Sequence, residues 1–150
     1  MRPSEVRERI LIDHQRIRGL VAEVEALAER VRAGRVELCS KLRERGTALY
    51  EQLCRHLDLE DVVLAGALRE ADAWGEERAE ELEIEHSEQR ELLAYLLQRL
   101  DDSSQPSTLL VQDLIQFTAL LRDDMKREER DVLSEELLRD DVIGIDVSSG

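Results

Sequence analysis

Three histidines are the whole imidazole complement of this 150-residue chain, and each falls on the apolar stripe of a different helical segment, where a core side chain is expected. The first stripe reads Val6, Ile10, His14, Ile17, Val21, Val24, Ala28, Val31, in steps of three or four with His14 its only polar member. The second reads Leu38, Leu42, Leu49, Leu53, His56, Glu60, Val63, Ala67, and the third Leu82, His86, Gln89, Leu93, Leu96, Leu100. A fourth, Leu110, Leu114, Phe117 and Leu121, runs on into Asp124 and Glu128, which stack at i and i+4. Imidazole nitrogens and carboxylate oxygens turned into one core are the donor set of a metal site. Buried carboxylates are costly without a cation, and a metal supplies that charge. The candidate ligands are His14, His56, Glu60, His86, Asp124 and Glu128.

The elements that must position them follow from helix signals. Pro3 and Ser4 start a first helix that runs to about Arg32 and stops at Ala33-Gly34. A second spans about residues 35–68, weakened by Gly46 and Gly66 but not broken. The stretch from Arg69 to Gly75 separates it from a third, which ends near Leu100 before the turn-forming run Asp101-Asp102-Ser103-Ser104-Gln105-Pro106. Ser107 or Thr108 caps a fourth helix reaching about Leu138. Residues 1–138 are thus expected to form one up-down-up-down antiparallel four-helix bundle, with residues 139–150 a C-terminal tail. In that topology all six candidate ligands lie within about six residues of height, or roughly 9 Å. The stripe assignment did not impose this agreement.

Composition limits the function. The chain is 42% hydrophobic and 37% charged, enough apolar residue to fill a bundle interior without disulfides or metal. A net charge of −14, from 35 acidic and 21 basic residues, with no compact basic patch, argues against nucleic acid. No apolar run approaches the roughly 20 residues that span a bilayer, and Met1-Arg2-Pro3-Ser4-Glu5 carries no signal-peptide core. A cytoplasmic protein is the expectation, with no membrane partner. Cys39 and Cys54 lie roughly 22 Å apart along one helix and cannot pair. No nucleophile and base pair or phosphate loop points to a classical enzyme.

A lone histidine on an apolar stripe is more often a hydrogen-bonded core residue than a ligand. If a core face takes about three of every seven positions, however, three randomly placed histidines all reach it only about 8% of the time. The carboxylates have an ordinary alternative in solvated faces, since Asp58 and Asp61 flank Glu60 and Glu129 follows Glu128. Their register with the stripes reverses that weighting. Gln89 and Arg90, about one turn beyond His86, are candidate outer partners or ordinary rim residues.

The set His14, His56-Leu57-Asp58-Leu59-Glu60, Glu85-His86 and Asp124-Met125-Lys126-Arg127-Glu128-Glu129 resembles the hemerythrin-like (HHE cation-binding) family, over the chain to about Leu138. The resemblance implies a non-haem metal centre, most naturally di-iron, with His14, His56 and His86 as terminal ligands, Glu60 and Glu128 as bridges and Asp124 as a terminal carboxylate. Asp124 stands where the family carries a fourth-helix histidine, and Leu82 and Arg90 leave His86 alone on its helix. Fewer nitrogens and more oxygens favour oxidised iron or Mn²⁺ over a reversible oxygen carrier, and Zn²⁺ also suits such ligands. The implied partners are O₂, peroxide or NO, for sensing, storage or detoxification. The alternative is a metal-depleted interaction or regulatory module acting through its acidic surface, a protein partner or a homo-oligomer.

Overall fold

Pro3 opens the first helix, α1 (Pro3–Arg32), at the position where a missing N–H is not needed, and Glu5 Oε2 accepts the Arg2 backbone N–H at 2.8 Å. The helix stops at Gly34, whose φ of 108° lies in the left-handed region that favours glycine. A 3₁₀ turn, Val36–Leu38, leads into α2 (Cys39–Leu59), which continues through a π-helical turn, Glu60–Leu64, into α3 (Ala65–Ala71). These three segments form one continuous rod. A tight reversal follows, in which a Cβ on Gly75 would sit 1.8 Å from the Leu68 carbonyl oxygen, so only glycine fits. Then come α4 (Gly75–Asp101) and α5 (Thr108–Asp131), the latter capped by Ser107, whose hydroxyl oxygen accepts the Leu110 N–H at 3.1 Å. The computed structural model describes residues 2–71, 73–102 and 106–133. The fourth helix, expected to reach about Leu138, ends at Asp131 with Val132 at its cap, and the tail expected at 139–150 lies outside the described residues.

The core has two apolar halves. One gathers Ile17, Val21, Val24, Leu49, Leu53, Leu93, Leu96, Leu114, Phe117 and Leu121 with their neighbours. The other gathers Val6, Ile10, Leu64, Leu68, Leu82 and Leu133. Each rod crosses from one half to the other: α1 and α4 run from the second half to the first, whereas the α2–α3 rod and α5 run from the first to the second. Alternating direction is what an up-down-up-down antiparallel bundle requires, and the fold is all-α as expected. On every rod the crossing point is a polar residue: His14 between Ile10 and Ile17, His56 and Glu60 between Leu53 and Leu64, His86 between Leu82 and Leu93, Glu128 between Met125 and Leu133. A single polar layer therefore divides the interior.

The π-turn corrects one stripe. A 3.6-residue period carried past Glu60 puts Val63 and Ala67 inward, whereas Leu64, Ala65 and Leu68 are the fully buried residues. The turn adds one residue to the rod and moves every later side chain round by one position. On α5 the stripe passes from Leu121 to buried Met125, which leaves Asp124 at the edge with about a fifth of its side chain exposed. Leu64→Ala should accordingly cost about 2–5 kcal/mol and Val63→Ala about 1 kcal/mol, read from urea midpoints. The reverse order would restore the uninterrupted helical register.

Candidate metal centre

Within the polar layer, the Nε2 atoms of His14, His56 and His86 turn toward the paired carboxylates of Glu60 and Glu128. His14 Nε2 lies 3.1 Å from Glu128 Oε1 and 3.6 Å from Glu60 Oε1. His56 Nε2 lies 2.6 Å from Glu60 Oε1. His86 Nε2 lies on the other side, 2.9 Å from Glu60 Oε2 and 3.9 Å from Glu128 Oε2. Each glutamate thus offers one oxygen to the His14/His56 side and the other to the His86 side. The His14 and His56 rings meet edge to face at 4.9 Å, and ligand atoms of His14, His56, Glu60 and Glu128 all fall within 4.8 Å of one another. That is the spacing of donors that could hold a metal ion.

The test of fit is whether these atoms are satisfied by the protein itself, and several are not. His56 Nε2, both oxygens of Glu60 and Oε1 of Glu128 are buried without an aligned hydrogen-bond partner, so even the 2.6 Å approach between His56 and Glu60 is a contact without hydrogen-bond geometry. Buried polar atoms left in this way are expensive, and four of them gathered in one layer suit a cation. Three imidazoles and two carboxylates are also the donor types that Fe, Mn and Zn accept.

Electrostatics gives the same account. Burial works against a charge on His14, but Glu128, Glu60 and Glu129 outweigh it and hold the ring up at about 10. His86 is likewise opposed by burial and raised to about 10 by Glu128, Glu60 and Asp61. His56 is raised by Glu60 and Asp13 against the same burial. Burial pushes Glu60 up, yet the three imidazoles together hold its carboxyl well below the ordinary range. Glu128 is pushed up by burial and then by the neighbouring Glu60 charge. The carboxylate pair collects positive charge, and protons on the rings provide it when nothing else does.

Five of the six residues singled out from the sequence, His14, His56, Glu60, His86 and Glu128, come together here. Asp124 lines the same cavity, but its carboxylate is engaged by Gln89 Nε2 at 3.0 Å and by Arg127. The cavity, of about 290 Å³, leads from the cluster between α4 and α5 past Leu82, Leu121 and Met125 to an outer wall that includes Glu85, Asp124, Arg127 and Asp131. Arg90 bonds Asp58 and Asp61 at 2.9 and 2.8 Å. Three acids that periodicity did not single out as ligands touch the Nδ1 atoms instead: Glu129 on His14, Asp13 on His56 and Asp61 on His86. The available signal was adjacency, since Asp13, Asp61 and Glu129 each follow or precede an inward-facing member of the cluster.

Residues 6–135 match the family model described as Hemerythrin HHE cation binding domain. No curated protein and no solved structure matches the chain. No helix among the described residues is long and apolar enough to cross a membrane.

The raised rings set a pH dependence for protein stripped by a chelator. His14 and His86 sit near 10 in the folded chain against 6.5 in the unfolded one, so their contribution to stability is complete below about 6.5 and is lost as pH rises through 10. The melting temperature of stripped protein should fall across that window, and His86→Gln should flatten the decline. A flat profile in the parent chain would contradict the electrostatic account.

Proposed function

The chain belongs to the hemerythrin HHE cation-binding family, and from that premise we propose that its polar layer holds a non-haem metal centre, most naturally two irons, that meets O₂, peroxide or NO. The observation that carries the reading is the pairing of buried Glu60 with largely covered Glu128: their oxygens divide between two sets of imidazoles, and three of the four have no hydrogen-bond partner. One metal would be held by His14 and His56 with Oε1 of Glu60 and of Glu128. The second would be held by His86 with the two Oε2 atoms, and Asp124 lines the same cavity. The ligand sets differ, with two imidazoles on one side and one on the other, so the first position should fill before the second.

Iron in such a centre supplies redox chemistry and open coordination positions for a small exogenous ligand. The residues supply the rest. Apolar side chains above and below the layer keep bulk water from the glutamates, and the cavity between α4 and α5 gives a small molecule a path to His86 and Glu128. The carboxylate-rich donor set favours oxidised iron or Mn²⁺ and suits sensing, storage or detoxification better than reversible oxygen carriage. Zn²⁺ is compatible with the same donors.

The test is anaerobic Fe²⁺ loading of stripped protein, followed by elemental analysis and thermal melting. A site that binds only the folded chain stabilises it by about 2.7 kcal/mol at a hundredfold excess over Kd, a rise of about 5–10 °C for a domain of this size. The double variant His14→Ala, His56→Ala should lose most of that rise. Trace metal in the parent chain with an unmoved melting temperature would remove the proposal and leave the metal-depleted interaction module, whose partner binding should survive the same double variant.

A further inference from the structure

An imidazole can ligate through Nε2 only if its other nitrogen keeps the proton and its plane is held against rotation. In this bundle each of the three rings has a carboxylate on Nδ1: Glu129 Oε2 at 2.6 Å from His14, Asp61 Oδ1 at 2.7 Å from His86 and Asp13 Oδ2 at 3.2 Å from His56. We propose that Asp13, Asp61 and Glu129 are positioning residues, each accepting the Nδ1–H of one ring and so aiming its Nε2 lone pair at the Glu60–Glu128 pair. The inference rests on the metal-centre reading and extends it to residues outside the ligand set.

The arrangement follows a rule of helical geometry. Consecutive residues on an α-helix point about 100° apart, so a residue beside an inward-facing ligand faces the seam with the next helix. Asp13, beside His14 on α1, reaches across to His56 on α2. Asp61, beside Glu60, reaches from the π-turn to His86 on α4. Glu129, beside Glu128 on α5, reaches to His14 on α1. Every positioning acid serves a ring on a different rod, so the three contacts also tie the rods together at the depth of the cluster.

Arginines stand behind the acids and fix them in turn. Arg18 Nη2 donates to Glu129 Oε1 at 2.9 Å, and Arg90 Nη2 to Asp61 Oδ2 at 2.8 Å. Among the described residues Asp13 has Arg9 and Arg16 at 3.8 Å, farther than the arginines behind the other two acids. A carboxylate behind an imidazole raises the ring's basicity as a donor, and His14 and His86, whose contacts are the shortest, should feel this most. One seam lacks such a contact. Glu85, beside His86 on α4, faces α5 at Asp124, and two acids meet there with Arg127 against both.

Co²⁺ is the probe, because its visible absorption reports the ligand field without redox change. Competition titrations with a chelator should show Asp61→Ala and Glu129→Ala binding Co²⁺ about 10–100-fold more weakly than the parent. Asp61→Asn and Glu129→Gln keep an acceptor without the charge and should fall between. Asp13→Asn should shift the Co²⁺ bands less than Asp61→Asn does, since the Asp13 contact is the longest of the three. Folded variants whose lower melting temperature comes with unchanged Co²⁺ affinity and spectrum would reduce the acids to a structural role and overturn the inference. A second arm needs no metal: in ¹⁵N-histidine NMR of stripped protein, the strongly downfield Nδ1–H signal of one ring should vanish in each alanine variant. If the parent takes up no Co²⁺, the proposed function fails while this arm still decides the positioning claim, and unchanged Nδ1–H signals in all the variants would overturn it.

Discussion

Glu60 is a carboxylate with essentially no solvent exposure, at the middle of a four-rod core and beside the largely covered carboxylate of Glu128. Its need for positive charge is the constraint on which the rest of the structure depends. An unpaired charge at such a depth would cost several kcal/mol, and the fold meets that need by sending one imidazole from each of three rods to the same height. The apolar residues then divide into two clusters that must each be sufficient, because the layer between them contributes little hydrophobic burial. Stability thus resides in the leucine, valine and isoleucine layers, and chemistry in the plane that separates them. Single core truncations in either cluster would act mainly on stability, whereas changes in the layer act on its charge balance.

The π-turn is the local device that makes the layer possible on the second rod. It begins at Glu60 and ends at Leu64, so the helix widens at the most deeply buried carboxylate of the layer. Single-turn insertions of this kind are found mostly at functional positions. Consecutive side chains on the wider turn diverge by less than the α-helical 100°, which lets Glu60 face the centre while Asp61 faces the α4 ring next to it. Beyond the turn the apolar register resumes one residue late, with Leu64 and Leu68 inward.

Most of this was legible in the residues, for reasons that also explain what was not. The four rods and their alternating direction follow from stripes that keep one period over many turns, and the ends at Gly34 and Ser107 follow from turn and cap chemistry. His14, His56 and His86 stood out because a titratable ring on an apolar stripe breaks the pattern. Glu60 and Glu128 stood out because they continue a stripe. The π-turn was invisible because an inserted residue changes the period only locally, and Val63 and Ala67 are as apolar as Leu64 and Leu68. Asp13, Asp61 and Glu129 were hidden differently: in a chain with 35 acidic residues, an acid off the stripe looks like solvated surface, and only its contact with Nδ1 distinguishes it.

The seam between α4 and α5 is where the scheme departs from its own symmetry. On the other three seams an acid from one rod meets an imidazole from the next, a pairing of opposite tendencies. Between α4 and α5, Glu85 meets Asp124, and burial followed by the Asp124 charge pushes the Glu85 carboxyl up. Arg127 approaches both acids and Gln89 donates to Asp124, so a half-exposed arginine does from outside what an imidazole would do from within. The cavity opens along the same seam. Asp124, His86 and Glu128 all line it. In this chain the cavity meets the cluster on the side of His86, where a single imidazole faces the glutamate pair.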